Sequence, residues 1–123
     1  MMLLLTDIIQ DEEMGAAPFV ILRDHYVFSE GEPVLESTET FETSGVVQPT
    51  RDSDLSLVPE EYRTETLLTF YSPVHFSLGS RSDATHTIAP DRILYADHSF
   101  LVISVKDWLN HGFSRAIAVE KEA

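Results

Sequence analysis

The chain has 123 residues and a formal net charge of -13, from 21 Asp and Glu against 8 Lys and Arg. That length holds one domain around one core, and so acidic a balance excludes a protein that grips nucleic-acid phosphates or anionic lipid through a basic face. With no cysteine in the chain, disulfide scaffolds, zinc–thiolate sites and thiol nucleophiles are excluded as well.

Residues 1–17 form an N-terminal arm. Leu4, Leu5, Ile8 and Ile9 make a narrow apolar stripe that Leu3 extends, with Asp7, Asp11 and Glu12 beside it. The spacing predicts a short helix capped by Thr6 or Asp7 and closed by Gly15. So short a helix is marginal alone, so it must pack on its own domain or on a neighbour. As a signal peptide the run fails: no Lys or Arg precedes it and Asp7 interrupts it. Nothing else approaches the ~18 apolar residues of a membrane-spanning helix, and a soluble protein is expected.

Residues 18–123 have the period of strands. Phe19–Leu22 and His25–Phe28 are β-rich, and Ser29 to Pro33 is a turn cluster. Val34 to Phe41 alternates weakly, and Gly45 to Pro49 is a short strand stopped by proline. Arg51 to Ser56 is a polar connection, and Leu57 to Tyr62 a helical turn or tight bend with Pro59 at its start. In the strand Glu65 to Tyr71, Leu68 and Phe70 share one face and Leu67, Thr69 and Tyr71 the other.

Ser77 to Asp91 has few large apolar residues and is expected to be one long loop, a length that usually means contact with something else. A hairpin follows, Arg92–Ala96 and Phe100–Val105, with its turn expected at Asp97-His98-Ser99. Gly112 is a candidate for positive φ. The last strand puts Phe113, Arg115, Ile117 and Val119 on one face and Ser114, Ala116 and Ala118 on the other. About seven short strands at close turn spacing predict an all-β fold, a small antiparallel β-barrel or sandwich.

No catalytic constellation emerges. The histidines at 25, 75, 86, 98 and 111 include no pair at the spacing of a metal site. Asp24-His25 and Asp97-His98 are adjacent, so on a strand their side chains diverge. Leu78-Gly79-Ser80-Arg81-Ser82 lacks the second glycine and the strand-turn-helix setting of a nucleophile elbow. No phosphate-cradling glycine motif is present. The expectation is a non-enzyme without cofactor or metal. The acidic excess serves solubility or, in a ring, a lumen that repels DNA phosphates and lets duplex slide.

Several strings then follow a family pattern: Gly45-Val46-Val47-Gln48-Pro49, Leu57-Val58-Pro59-Glu60, Leu78-Gly79 and Ala89 to Tyr95. Phe100 to Trp108 and His111 to Ala116 complete it. The chain resembles small neck proteins of tailed bacteriophages, the head-to-tail connector, head-closure or collar proteins. The resemblance spans roughly residues 17–119 and is most specific over 45–119. It departs from the pattern at Asp97-His98-Ser99, where a glycine is expected, and at His111, where an aromatic is expected.

The resemblance implies a β-barrel that assembles into a ring of six or twelve copies between portal and tail. Such a ring extends the DNA channel, binds no DNA sequence and docks the tail. Its partners are further copies, the portal or adaptor ring and tail proteins, with no membrane. It is made in the host cytoplasm and resides in the virion neck. On this basis Leu3, Leu4, Leu5, Ile8, Ile9, Trp108 and Phe113 are candidate subunit contacts. Asp52, Asp54, Glu60 and Glu61 are candidate channel-facing acids, and Leu78, Gly79, Asp83 and His86 candidate inter-ring contacts. The alternatives are a tail-completion or terminator protein, which has an α+β fold, and a small β-barrel ligand binder or metalloenzyme of cupin or lipocalin type.

Overall fold

A computed structural model describes residues 16–81, 85–108 and 112–121. About two-thirds of them lie in antiparallel β-strands. The chain opens on a hairpin of two long strands, β1 (Ala16–Ser29) and β2 (Glu32–Pro49). Then come β3 (Leu67–Ser72), β4 (Ser80–Arg81), β5 (His86–Ile88), β6 (Arg92–Tyr95), β7 (His98–Trp108) and β8 (Phe113–Lys121). Two 3-10 turns, Asp52–Leu57 and Glu60–Tyr62, are the helical elements among the described residues. The polar connection and prolyl bend expected there are thus both wound.

The sheet closes on itself. Strands pair in the order β2, β3, β8, β7, β6, β1, and β1 pairs back to β2. Closure removes the exposed edges of an open sheet. It depends on Gly45, where a Cβ would lie 1.7 Å from the Tyr71 carbonyl oxygen. Only glycine lets β2 approach β3 so closely there.

The core fills the interior: Phe19, Ile21, Phe70, Phe76, Ile93, Phe100, Val102, Ala116 and Ala118. Phe70 meets Phe19 and Phe100 edge-on at centroid distances of 5.3 and 5.5 Å, a favoured aromatic geometry. Small Ala116 and Ala118 on β8 make room for these rings.

Four sequence expectations change. Phe19–Leu22 and His25–Phe28 are one strand of 14 residues, with Arg23-Asp24 held inside it. Val34–Phe41 and Gly45–Pro49 are likewise one strand of 18 residues. The segment Ser77 to Asp91 is not bare loop, because β4 and β5 pair with each other and β5 pairs with β1 at 25–27. The β6–β7 turn is Ala96-Asp97, with φ of 51° and 65°, and His98 and Ser99 already belong to β7. Two consecutive positive-φ residues match the right-handed twist of a hairpin, and Glu30-Gly31, at φ 53° and 83°, does the same between β1 and β2. Gly112 has φ 87° as expected.

The β1–β2 hairpin runs past the closed part of the sheet. Only residues 46–49 of β2 pair with β3, and residues 31–40 are all exposed.

Candidate functional site

Two kinds of site are built into this fold: charged pairs that tie strands together, and surfaces left open around the closed sheet.

The strongest charged arrangement is a mirrored pair of dipeptides. Arg23 on β1 donates from Nε to Asp91 Oδ1 and from Nη2 to Asp91 Oδ2, both at 2.9 Å. Its Nη2 also donates to the His75 carbonyl at 2.8 Å. In return, Arg92 donates from Nε to Asp24 Oδ2 at 2.8 Å and from Nη2 to Asp24 Oδ1 at 3.0 Å. Alternation puts Arg23 toward the interior and Asp24 outside, so one bidentate pair forms on each face of the sheet. Asp91 is fully buried and also accepts the Ser77 amide at 2.8 Å. Thr38 Oγ1 donates to Asp24 at 2.7 Å, and the Arg23 guanidinium lies 4.9 Å from the Phe41 ring centre.

Hydrogen bonds from Arg92 and Thr38 hold the Asp24 carboxyl below its ordinary range against the opposing effect of burial. Arg23 and Arg92 are both raised, chiefly by hydrogen bonding to Asp91 and Asp24 respectively. These groups satisfy one another, which suits strand locking rather than proton transfer. No motif or spacing in the sequence marks them as a site. The signal present is of another kind: a charged dipeptide inside an apolar strand run needs partners of opposite sign, and Asp91-Arg92 offers the same charges in reverse order.

The described histidines each face one carboxylate. His75 Nδ1 is 3.0 Å from Asp107, His98 Nδ1 2.6 Å from Glu120 and His86 Nε2 4.0 Å from Glu36. His25 pairs with Glu39 across the β1–β2 hairpin, so Asp24 and His25 do diverge as neighbours on a strand should. Among the described residues no three His, Asp or Glu converge as a metal-binding group. Ser114, Asp107 and His75 are the residue types of a hydrolytic triad, but in the wrong order. Ser114 Oγ donates to Asp107 Oδ1 at 2.6 Å while His75 lies on the other carboxylate oxygen. The aspartate stands between them, and Ser114 is fully buried. Activation needs the imidazole on the hydroxyl.

The sequence-predicted positions scatter. Leu3, Leu4, Leu5, Ile8, Ile9 and Asp83 lie outside the described residues, as do the side-chain roles expected for Asp52 and Trp108. Asp54, Glu60 and Glu61 share the segment between β2 and β3 that lies over the outer face of β3 and β8. Asp54 is half-buried 3.8 Å from Arg115, while Glu60 and Glu61 are exposed. Phe113 packs beside Tyr71 at 6.1 Å on that same outer face. Leu78 is exposed. Gly79, at φ 97°, is wedged under β5, where a Cβ would lie 2.5 Å from the Ile88 carbonyl. His86 lies on β5, with its Nδ1 3.0 Å from Thr85 Oγ1.

Two open grooves of about 590 and 610 Å³ flank the β6–β7 turn. One runs between that turn and Thr64–Thr66, Glu120 and Lys121 and is lined by polar and charged residues. The other includes Pro18, Val20, Leu94 and Tyr95, rimmed by Glu42 and Asp97. At the far end of the molecule the hairpin tip exposes Phe28, Val34 and Leu35. Among the described residues no helix is long and apolar enough to cross a membrane.

The chain matches no protein-family model and no curated protein.

Proposed function

We propose that the chain is a structural protein of the neck of a tailed bacteriophage, forming a ring between portal and tail that extends the DNA channel and docks the tail. The observation that carries this reading is the projecting β1–β2 hairpin on a closed antiparallel sheet. Its tip exposes Phe28, Val34 and Leu35, and its β2 strand carries Glu32, Glu36, Glu39 and Glu42 without one Lys or Arg. A projecting hairpin, flanked along β1 by the short strand β5 and ending in an apolar tip, is suited to insert against another protein. The strong negative charge suits a wall that DNA passes without adhering. The resemblance over residues 45–119 points the same way. An α+β tail-completion protein is disfavoured, because the described residues form strands and two short 3-10 turns.

The test is electron microscopy of virions carrying this chain. A ring of closed β-sheets around the neck channel is the expected result, and neck density that the chain cannot occupy overturns the proposal. For the hairpin, Phe28→Asp with Leu35→Asp should leave the folded content unchanged by circular dichroism. It should also lower incorporation into particles about tenfold or more, as loss of apolar anchors does. Unchanged incorporation would remove the hairpin from the assembly contact.

A further inference from the structure

Beyond the closed part of the sheet the hairpin continues as a small sheet of its own, ordered β2, β1, β5, β4. Its two edges differ. On one side β4 is only two residues long, Ser80 and Arg81. On the other side lies β2. β1 takes one edge of β2 from Glu32 to Val46, and β3 takes the opposite edge only over residues 46–49. Among the described residues no strand pairs with that opposite edge between 32 and 44, and residues 32–40 and 42 are exposed. This run is about 40 Å long at the rise of a strand. Its outward N–H and C=O groups are a template for a further strand. Short length, lysines, prolines and bulges are the usual protections of such an edge. Here Pro33 and a register shift at Glu36 interrupt it near the tip, while residues 37–44 carry neither interruption nor lysine.

Charge decides what can add there. β2 carries Glu32, Glu36, Glu39 and Glu42, and no Lys or Arg occurs from Asp24 to Thr50. His25 and His86 face Glu39 and Glu36, yet both carboxylates stay at least half exposed. A second copy of β2 would set glutamate against glutamate, which cross-strand pairing penalises. No other strand of a second copy answers the charge either. The chain's Lys and Arg stand singly: the closest two, Arg115 and Lys121, are six positions apart and already lie beside Asp54 and Glu65. We infer that the outer edge of β2, over residues 32–44, receives an extended basic segment of a different protein as an added strand. Main-chain hydrogen bonds hold such a segment, and its Lys or Arg side chains meet the glutamates and set its specificity. The inference goes beyond the neck reading and does not rest on it, and its test needs no particle.

The probe is a fluorescein-labelled peptide of alternating lysine and threonine, titrated with the full chain at about 0.15 M ionic strength. Fluorescence anisotropy should show binding, and amide hydrogen exchange should slow across residues 32–44 but not across β8. The same peptide with glutamate for lysine should bind about tenfold more weakly. So should the lysine peptide N-methylated at every peptide nitrogen, which keeps the charge and removes the main-chain donors. Glu36→Lys with Glu42→Lys should also weaken binding about tenfold. Glu60→Lys with Glu61→Lys makes the same change in net charge at exposed positions on another face, and should alter binding less than about threefold. Circular dichroism checks that both variants are folded, and the N-methylated peptide decides the matter on the parent chain alone. Absence of binding overturns the inference. Equal binding of the N-methylated peptide, or equal losses in the two double variants, overturns it as well, because net charge alone then explains the attraction. Exchange protection of residues 32–44 that grows with protein concentration without peptide also overturns it, by assigning the edge to a second copy.

Discussion

The outer faces of β8 and of β1 begin from the same kind of sequence and end differently. Both strands bury their inward side chains in the common core, and both carry apolar residues outward. On β8 the chain covers them itself: residues 50–66 cross the face, and Thr50 bonds Thr69, Asp54 approaches Arg115, and Lys121 lies over the Tyr62 ring. On β1 and β6 the outward Val20, Leu22 and Leu94 adjoin the Asp24–Arg92 pair, with Val20 and Leu22 half-buried and Leu94 41% exposed. The difference teaches where assembly or docking can act. A face sealed by a short local connection has its apolar side chains already buried, while the other still exposes Leu94.

The hardest break strikes the layer both faces share. Asp91→Ala would leave the Arg23 guanidinium 16% exposed without its partner, a loss of about 3–5 kcal/mol in urea unfolding. On the sealed face, Ile117→Ala should cost about 2–4 kcal/mol, since the side chain is 1% exposed. Leu94→Ala, at a side chain 41% exposed on the other face, should stay within about 0.5 kcal/mol. Equal losses at the two positions would erase the contrast between the faces.

The smallest effect is one of pH. Asp24 titrates lower in the folded chain than in the unfolded one because Arg92 holds its charged form. Its contribution is therefore full above the unfolded value, near pH 4, and is lost as pH falls through the lower folded value. Asp24→Asn should flatten that part of the stability profile below pH 4. Arg92 is 41% exposed, so solvent screening keeps the difference small. A variant profile parallel to the parent's would show that the outer pair contributes nothing to acid sensitivity.

How far the fold was legible varies by element, for physical reasons. β3 and β8 were read with their faces correct, because one side of each meets the core and alternation reports that burial directly. The 18-residue β2 was read as two pieces, with Val34 to Phe41 alternating only weakly, because over residues 32–40 neither face is buried. β1 was split at Arg23-Asp24 because charge inside a strand resembles a turn until its partners, 68 residues away, are known. The β6–β7 turn was placed one residue late, since Ala96 carries no turn signature although its φ is 51°. The acids at 54, 60 and 61 were singled out through the resemblance, and in the fold they lie on the one segment that covers β3 and β8.

By itself the sequence determined the class of the fold: strand-period apolar spacing and a single small domain without cysteine leave an antiparallel β architecture, because such side chains need a sheet face to bury. Only the tertiary structure decided which strands close the circuit, that Gly45 permits the closure, and that Arg23-Asp24 and Asp91-Arg92 lock it. Those depend on groups distant in the chain meeting at hydrogen-bond range, and local spacing carries no record of such meetings. It also decided which of two similar apolar outer faces is sealed, because covering a face depends on where a connection travels rather than on what the strand beneath it contains.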